Sequence, residues 1–326
     1  VNRFRPWWSR FDSVEALAAA MHRIGVPQDV LQLRPGAFRA DLMLIPLDQL
    51  QLVRIRLNQP VLAIGAKSDS TVLLSLSLAP IAAGAVGLQS HGTPLAEDAI
   101  YGLDSGRDIH LVTPDRYGLV LMGINRQVLF DRAEALGCPE LEGPLRGQNW
   151  LRIEPGRLQE LRQLLAGIIA RAEGQPAAFE QLTERRRWSG DLVPLVLEAL
   201  VDGMERRQGR LREPSRIELV KLTEAWARAH PHTPITLEDL CRLVHASRRS
   251  LMRGFQEHLG MGPMAYLKLQ RLHGVRRQLQ SVEPGRATVV ELAAAWGFSN
   301  AGHFAHDYRH HFGEAPSQTL RQRPPA

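Results

Sequence analysis

Cysteine is almost absent from this chain: Cys138 and Cys241 are the only two in 326 residues. Two thiols so far apart make neither a disulfide framework nor a zinc site, so a reducing, cytoplasmic setting is the simplest expectation. Long apolar runs are missing as well. None reaches the roughly 18 residues a membrane span needs. The first residues, with Arg3, Arg5, Trp7 and Trp8, lack the apolar core of a signal peptide, so no membrane partner is expected. No nucleophile–base pair and no paired acids stand out either. The chain therefore reads as a non-enzyme, with no catalytic residues and no cofactor.

What is present is ordinary for a globular protein: 44% apolar and 23% charged residues, in a chain long enough for two cores. The charge is unevenly placed. Residues 214–326 hold 15 Lys and Arg against 9 Asp and Glu; with 40 and 34 in the whole chain, the first 213 residues carry 25 of each sign. Seven of the 12 histidines also follow Thr233. A basic segment joined to a neutral one suits a polyanion reader coupled to a sensor.

The neutral part opens with a helix over 13–24, capped by Ser13 and stopped by Gly25 and Pro27. The period then changes to two. Val53, Ile55 and Leu57 alternate with Arg54, Arg56 and Asn58 as a half-buried strand, and Val72, Leu74, Leu76 and Leu78 mark another. Further strands are expected near 39–46, 60–66, 85–90, 108–113 and 117–124, which suggests a β-sandwich or a small barrel. From Gly123 the pattern turns helical. Leu158, Leu161, Leu165, Ile168 and Ala172 form one stripe, which is either core within the domain or a dimer seam. Further helices are expected at 176–187 and 191–207, the latter starting beyond Ser189. The polar run from Arg206 to Pro214 reads as a linker, followed by an amphipathic helix through Leu219, Leu222 and Trp226. The expected organisation is a β-rich sensor at 1–155, a helical dimerisation or bridging segment at 156–206, a linker at 207–213 and a second domain at 214–326.

That last domain carries the most specific signal, a pattern that occurs twice. Phe255…Gly260-x-x-Pro263 and Tyr308…Gly313-x-x-Pro316 share the form aromatic-x4-Gly-x2-Pro, and each copy follows a capping-box sequence, Thr236-Leu-Glu-Asp239 and Thr288-Val-Val-Glu291. In the first copy a scaffold helix at 236–244 precedes a second helix at 247–259, N-capped by Ser247. Leu251, Phe255 and Leu259 face the core; Arg248, Arg249, Met252, Arg253 and Gln256 face outward. An α-helix fits the DNA major groove, and arginine can bond guanine O6 and N7 in two-point fashion. Arg249 and Arg253, four apart, are the strongest base-reading candidates. In the second copy Leu292, Ala293 and Trp296 precede a turn at Gly297-Phe298, and the second helix starts at Ser299 or Asn300. It offers Asn300, Ala301, Gly302, His303 and His306, a thin surface suited to phosphates and shape.

A helix from Pro263 to Leu279 joins the two copies and spans roughly 26 Å. With its flanking turns it would set the reading helices about 34 Å apart, one turn of DNA. Either the DNA bends to meet both, or one copy sits loosely.

The spacing Ser247-Arg-Arg-Ser-Leu251…Phe255…Gly260-x-x-Pro263…Arg271-Leu272, then Leu292-Ala…Gly297-Phe298…Phe304…Tyr308…Gly313-x-x-Pro316, resembles the AraC/XylS family of bacterial transcription regulators over about the last 100 residues. Within it, Leu240 to Ser250, Gly262-Pro-x-Ala-Tyr-Leu-Lys268 and Ala294-x-Trp-Gly-Phe298 look like the ethanolamine-operon regulator branch. Pro35-Gly-x-Phe38 resembles that branch faintly. The resemblance implies an α+β protein: a β-rich, cupin-like N-terminal sensor with trailing helices, and an all-α C-terminal domain with two helix-turn-helix units. It also implies double-stranded operator DNA and a small-molecule effector as partners, homodimerisation, and RNA polymerase as a further partner. By position, Arg249, Met252 and Arg253, and then Ala301, Gly302 and His306, would face bases. Thr319 stands where an aromatic residue is usual, so the final turn is expected to pack differently.

Three competing readings are weighed. His306, His310 and His311 invite a metal, but no further ligand stands at matching spacing, so none is expected. An enzyme or metal-binding cupin domain fused to a DNA-binding module would need a reactive cysteine or a metal cluster. Cys138 lies in a loop between Gly137 and Pro139, and His91 and His110 stand alone. A protein that binds DNA without regard to sequence is the third reading.

Overall fold

The structure, a computed structural model, describes residues 4–78, 87–135, 137, 141, 145, 147, 149–205, 216–283 and 285–321. Cys138, the run 206–214 expected to be a linker, and the first part of the strand expected at 85–90 lie outside those residues. The chain divides into two compact units, Val1–Val30 with Arg39–Ser90 and Pro94–Leu211, and Leu31–Phe38 with His91–Thr93 and Arg212–Ala326.

The first unit is β-rich. In chain order it contains β1 (Trp7–Phe11), α1 (Val14–Arg23), β2 (Asp29–Gln32), β3 (Ala40–Pro46), β4 (Leu50–Leu57), β5 (Val61–Gly65) and β6 (Thr71–Ser77). It continues with β7 (Gln89–Ser90), β8 (Thr93–Pro94), β9 (Ala99–Tyr101), β10 (Ile109–Val112), β11 (Tyr117–Asn125), α2 (Arg126–Ala135), β12 (Trp150–Arg152), α3 (Pro155–Gly174) and α4 (Leu182–Glu205). Ser13 caps α1 by accepting from the Ala16 amide, and Gly25 follows with φ 82°, a left-handed stop that glycine makes without strain. The strands form a seven-stranded sheet, β1-β3-β4-β11-β6-β9-β12, and a five-stranded sheet, β2-β5-β10-β7-β8. No closed barrel forms among the described residues.

Both faces of the larger sheet are buried, for a reason that shows in β11. Val120, Met122 and Ile124 join a core with Leu158, Leu161, Leu165, Ile168 and Ala172 of α3 and Leu192, Val196 and Leu200 of α4. Leu119 and Leu121, one residue out of phase, line a cavity whose other wall is the smaller sheet. The Leu158–Ala172 stripe is therefore core of its own domain. β4 is covered more fully than a half-buried strand. Arg54 is 9% exposed, and its guanidinium donates to Glu173 of α3 at 2.6 Å.

Two sequence expectations fail here. The helices expected at 176–187 and 191–207 are a short 3-10 turn, Pro176–Glu180, and one continuous α4 that runs through Pro194. Ser189 does not cap a new helix, because its hydroxyl donates back to the Arg186 carbonyl and leaves the helix unbroken. Nor does the chain stay helical after Gly123, since β12 returns to pair with β9.

The second unit is helical from Ile217 onward: α5 (Ile217–Ala229), α6 (Leu237–Leu243), α7 (Arg248–Leu259), α8 (Pro263–Ser281), α9 (Val289–Ala295), α10 (Ala301–Phe312) and α11 (Pro316–Arg321). Helix α8 organises it. Near its start Tyr266 meets Phe255 of α7 with ring centroids 5.5 Å apart. Farther along, Leu272, Val275 and Leu279 share a core with Leu292, Ala293, Trp296, Phe304, Tyr308 and Phe312.

One consequence is a pH dependence. Burial, then the neighbouring His273, push His311 down to about 3, with the charges of Arg276 and His310 acting the same way. Below the ordinary imidazole value near 6.5 the unfolded chain binds a proton that the folded chain refuses. Stability is therefore full above about pH 6.5 and falls as pH drops toward 3, by at most about 1.4 kcal/mol per unit. Thermal melts at pH 7.5 and 5.0 should show a lower midpoint at pH 5.0, and His311→Asn should flatten the difference. Equal midpoints in the unsubstituted protein would show that His311 protonates freely in place.

Candidate functional site

The doubled sequence pattern corresponds to two similarly built helix pairs, α6–α7 and α9–α10. Both capping boxes close reciprocally. The Thr236 amide donates to Asp239 at 3.1 Å and the Asp239 amide to Thr236 Oγ1 at 3.2 Å; Thr288 and Glu291 repeat this at 2.8 and 3.2 Å. Hydrogen bonds from Thr236, then the charge of Arg242, hold the Asp239 carboxyl below its usual range, and the Thr288 amide and hydroxyl do the same for Glu291. The turns also correspond. His245 and Gly297, each five residues beyond the buried leucines Leu240 and Leu292, have φ of 49° and 82°. Only the second uses the residue suited to left-handed backbone.

The aromatic-x4-Gly-x2-Pro motif is thereby explained. Phe255 and Tyr308 are fully buried, Gly260 and Gly313 end α7 and α10 at φ 69° and 76°, and Pro263 and Pro316 open the next helices.

All ten residues singled out from the sequence are exposed: Ser247, Arg248, Arg249, Met252 and Arg253 on α7 and its cap, and Asn300, Ala301, Gly302, His303 and His306 on α10 and its cap. Ser247 accepts from the Ser250 amide at 3.1 Å, and Asn300, rather than Ser299, accepts from the His303 amide at 2.9 Å. The arginines differ in state. Arg253 Nε donates to Glu257 at 2.7 Å, and Glu257 also lies 3.5 Å from Arg216. Arg248 and Arg249 have no ion-pair partner among the described residues. The bond is made through Nε, so Glu257 holds the Arg253 side chain without a hydrogen bond to its terminal nitrogens.

On α10 a stripe beyond the original candidates emerges. His303, His306 and His310 are spaced i, i+3, i+7 and all exposed, with the last two rings stacked. Arg309 is exposed too. His311 turns to the buried face, and no group of three or more metal ligands forms among the described residues.

Contacts that sequence reasoning missed hold α10 in place. Lys268 of α8 pairs with Asp307 at 2.6 Å. Arg276 of α8, 6% exposed, pairs with Glu314 at 2.8 Å and lies 4.5 Å over the Phe312 ring. Thr319 closes the chain by accepting from Tyr308 Oη at 2.8 Å and donating to Glu314 at 2.9 Å. These two bonds make a hydroxyl relay between α10 and α11. No local sequence signal marks these pairs, because partners such as Lys268 and Asp307 meet only when helices separated in sequence pack together. Cys241 is half-buried.

Residues 240–322 match the model of a helix-turn-helix domain family. The probable thc operon regulatory protein of Rhodococcus erythropolis is 39% identical over 119 residues, 36% of each chain. The XylDLEGF operon transcriptional activator 1 of Pseudomonas putida is 32% identical over 159 residues, 49% of this chain and 46% of that one. A crystal structure of a probable AraC family transcriptional regulator from Rhodopseudomonas palustris CGA009 is 42% identical, covering 33% of this chain and 99% of that one, with a TM-score of 0.31. The chain thus spans between a third and a half of the length of these curated relatives. Its C-terminal part is a DNA-binding helix-turn-helix domain. More narrowly, that domain is of the AraC/XylS type found in transcription regulators.

Proposed function

We propose that the whole protein is a sequence-specific regulator of transcription, an activator by the names of its relatives, in which α6–α7 and α9–α10 are two helix-turn-helix units on one DNA-binding domain. The observation that carries this is the repetition of one construction: boxed scaffold helix, left-handed turn, capped second helix, buried aromatic face and exposed polar N-terminal turn. Arg248, Arg249, Met252 and Arg253 would read bases from α7, aided by the Ser247 cap. Asn300, Ala301, Gly302, His303 and His306 would grip phosphates and read shape from α10. Helix α8 would set the two about one DNA turn apart.

In this reading residues 1–155 form the sensor, 156–206 bridge, 207–213 link and 214–326 bind DNA. The protein acts as a homodimer that contacts RNA polymerase and sits in the cytoplasm. No described helix is long and apolar enough to cross a membrane. The α3 stripe is already covered by its own sheet, so a dimer would use outward faces of these helices. The cavity between the sheets is the place for an effector, a location a cupin-like sensor would share. Ethanolamine is not proposed as that effector, since the relatives carry other operon names.

The test is fluorescence anisotropy with genomic fragments and scrambled duplexes across a salt series. Affinity for the true site should fall linearly on a log–log plot, by about 0.9 per phosphate neutralised, and exceed that for scrambled duplex by at least about a thousandfold. A flat salt response overturns DNA binding, and equal affinities would favour the sequence-indifferent reading.

A further inference from the structure

We propose that α10 takes up protons when it binds DNA, so that acid strengthens the grip of the second helix pair on the phosphate backbone but not that of the first. The proposal rests on the reading of both pairs as DNA-binding units and adds a regulation of the second.

The two reading helices differ in how they carry charge. α7 presents Arg248, Arg249 and Arg253 outward, and a guanidinium stays charged at every physiological pH. Its one histidine, His258, is buried. α10 has no lysine, and its single arginine, Arg309, is balanced by its single aspartate, Asp307. What it exposes instead is His303, His306 and His310 along one stripe. Imidazole is the side chain whose ordinary charge change falls between pH 5 and 8. The positive charge available to α10 is therefore set by the solution, whereas that of α7 is fixed.

The surroundings leave the three rings open to an anion. Their nitrogens make no hydrogen bond or ion pair among the described residues. Charged groups on the elements packed around α10 are engaged elsewhere: Lys268 of α8 with Asp307 at 2.6 Å, Arg276 of α8 with Glu314 at 2.8 Å, and Glu291 of α9 with the Thr288 amide at 2.8 Å. Arg321 of α11 is exposed, as is Arg34, in the loop whose Gly36 amide donates to the His311 carbonyl at 2.9 Å; both add only positive charge. His311 itself is buried and pushed down to about 3, so it stays neutral throughout this range.

Phosphate and proton should favour each other here. His303 lies in the first turn of α10, where the partial positive charge of the helix end opposes a cation and attracts a phosphate. The His306 and His310 rings stack with centroids 6.5 Å apart, so two positive charges there repel until an anion lies against them. By linkage, each proton taken up on binding raises affinity by up to about tenfold for each unit fall in pH.

Fluorescence anisotropy with the full chain and a random-sequence duplex of three helical turns, over a salt series at pH 8.0 and 6.0, tests this. Affinity should rise by about tenfold or more at pH 6.0, and the log–log salt slope should steepen by about 0.9 for each histidine that meets a phosphate. A fold made merely firmer by acid would leave that slope unchanged. His303→Asn, His306→Asn and His310→Asn together should remove most of the gain. Lysine at the same three positions should bind at pH 8.0 about as tightly as the unsubstituted protein does at pH 6.0. Circular dichroism at both pH values checks the fold, and should the asparagine variant fail to fold, the lysine variant and the salt slope decide.

Equal affinity and equal salt slope at the two pH values overturn the proposal. So does an undiminished gain in the folded asparagine variant, which would move the effect to another group such as the exposed His245 before α7. A flat salt response at both pH values removes DNA binding itself, the reading on which the proposal stands.

Discussion

Gly274→Ala should destabilise the C-terminal domain by about 3 kcal/mol, the upper end of ordinary overpacking penalties. A Cβ at position 274 would lie 2.5 Å from Trp296 Cε3 and closer still to Cη2 and Cζ3. The indole cannot easily retreat. It is 8% exposed, packs with Leu292, Ala293 and Phe304, and is tied by its Nε1, which donates to Gln278 Oε1 at 2.9 Å. In an isolated helix the same change would stabilise by about 1 kcal/mol, because alanine is the better helix former. The sign therefore reports the contact. Urea denaturation should show the loss in the native background and a small gain in a Trp296→Leu background. A neutral or stabilising effect with Trp296 in place would mean the two helices do not approach as described. Because α8 carries both helix pairs, DNA affinity should fall with stability.

Arg249→Ala should weaken binding to a cognate operator by about 1–3 kcal/mol while leaving scrambled duplex nearly unchanged. Arg249 is exposed on the first turn of α7 and has no ion-pair partner to give up among the described residues. Its full fork is available for a guanine edge. Arg253→Ala should cost a similar amount. Its side chain is held by Glu257, so Glu257→Ala should weaken operator binding too, by freeing a side chain now tethered. Binding isotherms on matched operator and scrambled DNA check both. If Arg249→Ala weakens the two duplexes alike, its side chain contacts phosphate and reads nothing.

How much was legible depends on the range of the interaction. Thr236-x-x-Asp239 and Thr288-x-x-Glu291 foretold their hydrogen bonds because a capping box closes within four residues. Gly260 and Gly313 foretold helix ends because a left-handed residue is needed there and little but glycine adopts it. The strands of the larger sheet were legible from alternation, yet their second buried face was not. Arg54 looks solvated until Glu173, far along the chain, arrives beside it. A helix start beyond Ser189 was misplaced because the Ser189 hydroxyl donates back to the Arg186 carbonyl within the helix, and packing of Leu192, Val196 and Leu200 carries that helix on.

The sequence by itself determined the exposed faces of α7 and α10: which of their residues point outward follows from a 3.6-residue period and the burial of Leu251, Phe255, Phe304 and Tyr308. Only the tertiary structure decided which arginine is paired, why position 274 must lack a side chain, and that Lys268 meets Asp307. Those facts depend on contacts between residues far apart in the chain, whose distances are set by the packing of whole helices and sheets. A local pattern constrains a turn or a face, but it carries no information about what will be brought against that face.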